Sequence, residues 1–212
     1  MKNVLVVGTG GLAREFSSYF YDHTKYINII GFSTTNPEEH AQFNLPGTLF
    51  GDEVTPDLVG TKNVIIAIGN PISKSLIYHK LKAKGFSFPS MVHPSSIVSN
   101  NIIIEEGVVI SPNCVISPNV TLRALSYLNF SCGVGHDAVI GRFVQVNPGT
   151  QLGGFTVIGD ESLIGSGVVV IHGVNIGNRT TIGSGSVVFS RVVDGATMIG
   201  NPAKRLRAFE KQ

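Results

Sequence analysis

The hydrophobic positions in the second half of the chain recur every six residues without interruption. They are the aliphatic residues Val98, Ile104, Ile110, Ile116, Leu122, Leu128, Val134, Ile140, Val146, Leu152, Ile158, Ile164, Val170, Ile176, Ile182 and Val188. Six residues at 100° each would spread these side chains around an α-helix, whereas in extended chain every sixth residue points to the same side. The period therefore predicts short strands whose aliphatic residues face one interior.

A second series with the same period contains mostly small or β-branched side chains. Its members are Ile102, Val108, Cys114, Val120, Ser126, Cys132, Ala138, Val144, Thr150, Thr156, Ser162, Val168, Val174, Thr180 and Ser186. Each hexad thus has two inward positions, and glycine directly follows seven of the sixteen aliphatic residues, as a tight corner requires. The pattern predicts a parallel β-helix of triangular cross-section, three hexads per coil, in which residue n stacks on residue n+18.

The first 89 residues alternate short apolar runs with helical segments. The predicted strands are 3–7, 27–32 and 64–68, the predicted helices are 12–21 and 73–84, and residues 33–60 are interpreted as loop. This alternation predicts a small parallel α/β sheet. We therefore divide the chain into an α/β domain over 1–89, the β-helix over 90–193 and a tail over 194–212 that is predicted to form a short helix.

Composition limits the classes of function. Charged residues make up 14% of the chain against 42% hydrophobic, with a formal net charge of +2, as expected where flat repeat faces are buried, including against other subunits. No basic run is long enough to follow a phosphate backbone, and Lys74, Lys80, Lys82 and Lys84 fit the solvated face of one helix. We expect no nucleic-acid partner.

The apolar run 4–7 near the start is too short for a signal peptide or a membrane span, so we expect a cytoplasmic protein. Cys114 and Cys132 differ by eighteen and should stack on adjacent coils. That spacing is compatible with a disulfide, but a reducing compartment favours two free buried thiols.

A glycine-rich segment, Gly8-Thr9-Gly10-Gly11, follows the first strand and opens the first helix. Its G-x-G-x-x-A form is that of a phosphate-binding turn, although the same pattern also occurs in turns without a ligand. The second strand ends Gly31-Phe32-Ser33-Thr34-Thr35, without the acidic residue by which a nicotinamide dehydrogenase holds a ribose. The region is also short for two mononucleotide halves, so a single nucleotide is favoured over a dinucleotide.

The two regions together resemble the family of sialic acid O-acetyltransferases and bacterial UDP-amino-sugar N-acetyltransferases. The matching residues are Gly8-Thr9-Gly10-Gly11, Ala67-Ile68-Gly69-Asn70, His93-Pro94-Ser95, Asn129, His136-Asp137, Gly153-Gly154 and Gly200-Asn201-Pro202-Ala203. The resemblance implies a left-handed β-helix that binds acetyl-CoA and an N-terminal Rossmann-like domain that holds a nucleotide-activated sugar. The residues it implies for the sugar nucleotide are Gly8, Gly10, Gly11, Gly69, Asn70 and Asn129.

Acetyl transfer needs a base for the proton of the incoming amine or hydroxyl, and donors for the oxyanion. His136 matches the family's catalytic histidine, and Asp137 is expected to orient its ring, although a solvent-exposed corner histidine is the simpler alternative. Gly154, eighteen residues after His136, is the implied donor to the thioester carbonyl. His172 lies two coils from His136, at a predicted separation of roughly 10 Å, too far for one metal ion, and we expect no metal.

The resemblance also implies acetyl-CoA contacts at Gln145, Ser166 and Ser184. Gln145 stands where the family often has a second histidine, so a hydrogen-bonding role survives and an acid–base role does not. The acidic pair that commonly ends the family's second strand is missing, and Lys74 stands where the family has an arginine.

These observations predict an acetyltransferase that moves acetyl from acetyl-CoA to an amino group of a nucleotide-linked sugar, for a bacterial surface polysaccharide such as lipopolysaccharide. The flat apolar sides predict a homotrimer with its sites between subunits. O-acetylation of a sugar hydroxyl, as in sialic acid, stays open, as does a catalytically silent nucleotide-sugar-binding scaffold. A carbonic anhydrase on this scaffold would need three converging histidines, and the repeat region has two.

Overall fold

The computed structural model describes residues 2–22 and 27–206. Its contacts divide the chain into two compact units, Met1–His93 and Pro94–Gln212. The first unit contains a parallel sheet of β1 (Lys2–Val7), β2 (Ile27–Ser33), β3 (Thr48–Phe50) and β4 (Val64–Ile66), in the order β3-β2-β1-β4. Its helices are α1 (Gly11–Ser17, continued by a π-helical turn at Ser18–Asp22), α2 (Pro37–Gln42), α3 (Pro56–Val59) and α4 (Pro71–Ala83), and a short strand, β5, is formed by Met91–Val92.

The strands and the two longer helices of this unit agree with the sequence prediction to within a few residues. The interpretation of residues 33–60 as loop is wrong, because α2, β3 and α3 lie there. These elements are short, and α2 and β3 contain no fully buried residue, so they lack the apolar run by which the equally short β4 was recognised. Helix α4 begins two residues earlier than predicted, at Pro71, because the Asn70 side chain caps it.

Lys74 was predicted to lie on a solvated helix face, and this is wrong. Its side chain is only 1% exposed, on the same face of α4 as the buried Leu81. Positions seven apart on a helix share a face, so the apolar spacing of α4 carries this lysine into the interior. Burial lowers the pKa of Lys74 to about 7.

The second unit is a parallel β-helix with three flat faces. Face 1 contains Ile97–Val98, Val115–Ile116, Gly133–Val134, Gln151–Leu152, Val169–Val170 and Val187–Val188; face 2 contains Ile103–Ile104, Thr121–Leu122, Val139–Ile140, Val157–Ile158 and Asn175–Ile176; face 3 contains Val109–Ile110, Tyr127–Leu128, Gln145–Val146, Leu163–Ile164, Thr181–Ile182, Thr197–Ile199 and the antiparallel Lys204–Arg205. Strands one coil apart pair eighteen residues apart, as Gly133 does with Val115 and Gln151. The predicted period and stacking are confirmed.

Both inward series form the core of this unit. The aliphatic series is buried from Ile110 to Val188, and the small or β-branched series from Val108 to Ser186. Val98, Ile102 and Ile104, at the first coil, are partly buried. Each fully buried aliphatic side chain contributes roughly 1.5–3 kcal/mol relative to exposure, so the ladder is the main source of stability in this unit.

The three edges between faces are named by the faces they join. The glycines that follow the aliphatic residues were expected to serve tight corners. The structure shows that they are needed because the backbone at these positions lies very close to the next coil. A β-carbon on Gly165, for example, would lie 2.5 Å from the Ser184 nitrogen. The left-handed backbone falls two residues later, at glycines such as Gly167 (φ 65°) and also at non-glycine residues such as Asn119 (φ 61°), Asp137 (φ 59°) and Phe155 (φ 57°).

Edge 2–3 is held by side chains that cap backbone amides of the preceding coil. The Arg142 N–H donates to Asp160 Oδ1 at 2.8 Å, the Asp160 N–H to Asn178 Oδ1 at 2.8 Å, and the Asn178 N–H to Asp194 Oδ1 at 3.0 Å. A ladder of short carboxylate and carboxamide side chains therefore satisfies the corner amides of this edge.

The short helix predicted over 194–212 is wrong for residues 194–206, which form strands and turns, with Met198 paired to Arg205. Residues 207–212 lie outside the described residues. The expectation of free thiols is confirmed: Cys114 and Cys132 are buried and unbridged, and their thiols donate to the Asn129 and Asn147 carbonyl oxygens at 3.2 and 3.3 Å. Across residues 2–22 and 27–206, no helix is both long and apolar enough to cross a membrane.

Candidate active site

His136 and Asp137 form a hydrogen-bonded pair on edge 1–2. His136 Nδ1 lies 2.8 Å from Asp137 Oδ2, and the side chains are 52% and 33% exposed. The bond to His136 holds the pKa of Asp137 below its usual value, and a second bond from Asn119 acts in the same direction. An ionised Asp137 accepts from Nδ1–H, which leaves the lone pair on Nε2 free to take a proton.

Gly154 lies against the free nitrogen of that ring. A β-carbon on Gly154 would be 2.8 Å from His136 Nε2, so any residue other than glycine would displace the imidazole ring. On edge 2–3 the equivalent amide of Asp160 is capped by Asn178. Within the part of the chain that the structure describes, the Gly154 N–H has no hydrogen-bond acceptor. A base nitrogen and an unused backbone donor thus lie side by side.

His172 is closer to His136 than the sequence predicted. The expected separation of roughly 10 Å assumed coil spacing alone, whereas the ring centroids are 6.1 Å apart. The intervening coil carries Gly153 and Gly154 at this edge, so no side chain separates the two rings. Phe155 stands edge-on to both, at 5.1 Å from His136 and 5.4 Å from His172. Sequence reasoning missed Phe155, although its position eighteen residues after Asp137 was a usable signal.

Other candidate residues lie away from this edge within the chain. Asn129, Ser166 and Ser184 are on edge 3–1, where both serines are exposed. Asn129 is buried and its side-chain oxygen accepts from the Phe130 N–H at 2.8 Å, a local corner role. Gln145 lies on face 3, is 1% exposed, and donates to Asn147 at 3.4 Å. Of the site residues predicted in the β-helix, a single chain therefore brings together His136, Asp137 and Gly154 and leaves Asn129, Gln145, Ser166 and Ser184 apart from them.

The glycine-rich turn of the first unit separates into two kinds of position. Gly8 has φ +106°, and a β-carbon there would lie 3.0 Å from the Ala67 oxygen, so its role is structural. Gly10 has nothing within 4 Å of a β-carbon, and Gly11 has only an Arg14 nitrogen at 3.8 Å. The Asn70 side chain is used locally, because it accepts from the Ser73 N–H at 2.9 Å. Gly69 is open, with Leu12 at 4.0 Å.

A cavity of about 200 Å³ lies beside this turn, at the carboxyl ends of the strands. It is lined by Val7, Gly8, Ser33, Thr34, Thr35, Asp52, Ile68, Ile77, Lys80 and Leu81. The sequence analysis looked for acidic residues at the end of β2 and missed two carboxylates near this cavity. Asp52 lines the cavity, and Glu39 accepts from the Thr9 hydroxyl of the turn at 2.7 Å.

In residues 2–22 and 27–206, no group of three or more His, Cys, Asp or Glu side chains is arranged to hold a metal ion.

Residues 155–190 match the model of the bacterial transferase hexapeptide family (six repeats). The structure is similar to the acetyltransferase domain of PglB from Neisseria gonorrhoeae FA1090, free and in complex with acetyl coenzyme A, with TM-scores of 0.81 and 0.82. Identity is 27%, over 97% of this chain and 99–100% of that domain. The hexad repeat and the fold of this chain are therefore like those of the hexapeptide-repeat acetyltransferases.

The predicted resemblance to the UDP-amino-sugar N-acetyltransferase family is thereby confirmed. Two further structures share the fold of the acetyltransferase. PerB from Caulobacter crescentus, solved with CoA and GDP-perosamine, has a TM-score of 0.76 at 24% identity over 98% of each chain. WeeI from Acinetobacter baumannii AYE has a TM-score of 0.75 at 22% identity over 97% of this chain and 100% of its own. No curated protein sequence matches the chain significantly.

Proposed function

We propose that this protein transfers acetyl from acetyl-CoA to the amino group of a nucleotide-linked sugar used for a bacterial surface polysaccharide. One observation carries the proposal: His136, oriented by Asp137 at 2.8 Å, presents Nε2 beside Gly154, whose N–H has no acceptor among the described residues. The similarity to a domain whose structure contains acetyl coenzyme A supports acetyl-CoA as the donor.

In this reaction the sugar nitrogen attacks the thioester carbonyl carbon while His136 Nε2 takes the amine proton. Asp137 accepts from Nδ1–H and stabilises the imidazolium that forms, as carboxylates do in other His–carboxylate pairs. The oxyanion that forms on the thioester carbonyl accepts a hydrogen bond from the Gly154 N–H. The carbon–sulfur bond then breaks, and the CoA thiolate takes the proton from Nε2 and leaves as a free thiol. The chemistry needs no metal ion.

The nucleotide part of the acceptor is assigned to the first unit, interpreted as a Rossmann-like domain. A β-carbon at Gly10 or Gly11 would have no neighbour closer than 3.8 Å, and Gly69 on the neighbouring strand end is also open, so a phosphate can approach the backbone there. The adjoining cavity offers apolar side chains to a base and the Asp52 carboxylate to hydroxyl or N–H donors. Gly8 shapes the turn, and Asn70 orders the start of α4.

The site is completed in a homotrimer, in which edge 1–2 of one left-handed β-helix meets edge 3–1 of a neighbouring subunit. Face 1 lies between these edges and exposes Ile97 (68%), Val115 (49%) and Val169 (38%), an apolar strip suited to burial against another copy. The neighbour's Ser166 and Ser184 then line the acetyl-CoA cleft, with Asn129 and Gln145 supporting it. We place the enzyme in the cytoplasm, where acetyl-CoA is available.

Release of free thiol from acetyl-CoA tests the proposal, with a panel of nucleotide-linked 3-amino and 4-amino sugars as acceptors and sialic acid as the hydroxyl control. Mass spectrometry of the product distinguishes an amide from an ester. We expect thiol release with an amino sugar and an added acetyl group on its nitrogen. Release only with sialic acid would make the protein an O-acetyltransferase, and nucleotide-sugar binding without any release would make it a silent scaffold.

A further inference from the structure

Asp137 is held by two partners, and only one of them is His136. Its Oδ2 lies 2.8 Å from His136 Nδ1, while its Oδ1 accepts from Asn119 Nδ2 at 3.1 Å. Asn119 is eighteen residues before Asp137 and therefore occupies the same place on the preceding coil of edge 1–2. The three side chains form one hydrogen-bonded chain that ends at the proposed base.

The backbone fixes Asn119 in this position. Its φ of 61° is left-handed, as is the 59° of Asp137, and asparagine and aspartate tolerate this conformation better than most residues. The Asn119 N–H donates to the Asn101 oxygen at 2.7 Å, which anchors the corner. Coils stack at the strand spacing of about 4.8 Å, so two short side chains at equivalent corners reach each other directly.

The second bond matters because the Asp137 side chain is one-third exposed. A carboxylate with a single partner at such a position can rotate toward water and leave the imidazole without its acceptor. A carboxamide donor on the other oxygen opposes that rotation, and it leaves the carboxylate ionised because an amide does not give up its proton. At metal sites, loss of such an outer hydrogen-bond partner typically costs about 10- to 100-fold in activity, and we expect an effect of that order here.

We propose that Asn119 is a positioning residue of the acetyl-transfer reaction, acting on His136 through Asp137. The inference rests on the proposed function, in which His136 is the base. Asn119 reaches the base through Asp137, so its contribution belongs to the chemical step. A purely structural role would instead lower stability and leave the turnover of the folded enzyme unchanged.

The test is a double-mutant cycle of Asn119→Gly and Asp137→Gly, in which glycine accepts the left-handed backbone and removes only the side chain. Arg179→Gly is the matched control, because Arg179 is exposed and left-handed (φ 52°) on edge 2–3, away from the proposed site. We expect Asn119→Gly to lower kcat about 10-fold, with both KM values within about 2-fold and an unchanged melting temperature. Arg179→Gly should match the wild type.

In the Asp137→Gly background, Asn119→Gly should have no further effect on kcat, because its partner is gone. Asn119→Asp, which keeps the shape but offers no donor, should behave like Asn119→Gly or worse. An equal loss of kcat in both backgrounds would overturn the inference, as would a full wild-type kcat for Asn119→Gly. Failure of the proposed function is separate and would show as an active His136→Ala enzyme.

Discussion

Gly154 touches His136 so closely that any side chain at this position would displace the imidazole: a β-carbon would lie 2.8 Å from Nε2 and 2.9 Å from Cε1. The atoms it meets belong to the end of a side chain that is half exposed, so the ring can move while the backbone stays in place. A substitution at Gly154 is therefore expected to affect catalysis and to leave stability unchanged.

We predict that Gly154→Ala folds and assembles like the wild type but loses about 10-fold or more in kcat, because the base nitrogen leaves its position beside the proposed oxyanion donor. Steady-state kinetics and thermal unfolding measure the two effects. Gly195→Asn is the control, since Gly195 is an exposed left-handed corner (φ +67°) on edge 2–3 with open space around a β-carbon, and asparagine tolerates this backbone. A variant with wild-type kcat would remove Gly154 from the site.

His136→Ala should lower transfer activity by at least ~10²-fold, the usual scale for loss of a general base, without loss of fold. The measurement is thiol release with a purified acceptor, beside circular dichroism and an oligomer mass. Asp137→Gly should lose less, because the ring itself remains. Activity of His136→Ala within a few-fold of wild type would show that the base lies elsewhere.

Gly10→Val should raise the KM for the nucleotide-linked acceptor and leave the KM for acetyl-CoA nearly unchanged. Gly10 has open space around it, so valine interferes with a ligand rather than with the fold. Gly60→Asn is the control, because Gly60 has open space around it, precedes the amino end of β4 away from the cavity, and has a φ of +71° that asparagine tolerates. An unchanged acceptor KM would mean that the turn is structural and that the acceptor is a free sugar.

Ser166→Trp should abolish acetyl-CoA binding in calorimetric titration while the trimer mass is retained, because Ser166 is an exposed corner residue outside the aliphatic ladder. Arg142→Trp, an exposed corner substitution on edge 2–3, should bind acetyl-CoA normally. Retained affinity in an intact Ser166→Trp trimer would place the donor on another edge.

Lys74 makes stability depend on pH. Its pKa is lowered by burial to about 7, from 10.5 when exposed, so between these values the unfolded chain holds a proton that the folded chain lacks. Stability attributable to Lys74 therefore rises as the pH increases from 7 to 10.5, and the full cost of burying the charge acts below pH 7.

Lys74→Met should accordingly have a free energy of unfolding higher than that of wild type at pH 6, by on the order of a few kcal/mol, and so a higher melting temperature, with the difference shrinking toward pH 10. Thermal unfolding at the two pH values measures this, with the exposed Lys62→Met as control. A difference that is the same at both pH values would mean that Lys74 does not titrate in this range.

The hexad period was enough to predict the β-helix, its inward residues and the n+18 stacking, because alternation in extended chain leaves each side chain only two directions. The first unit was predicted less completely. The strands β1, β2 and β4 carry apolar runs that the sequence displays, whereas α2, β3 and α3 are short and carry no such run. Lys74 was misplaced because its charge, read alone, suggested solvent, while the neighbouring apolar residues decided the buried face.

The sequence by itself determined that His136, Asp137 and Gly154 share an edge, since residues eighteen apart must stack. Only the tertiary structure decided that His172 and Phe155 close around the ring and that Asn119 holds the second oxygen of Asp137. The physical reason is that spacing sets which coil and corner a residue occupies. Contacts between side chains also depend on the length and rotamer of each side chain, and on the empty space that Gly153 and Gly154 leave between two coils.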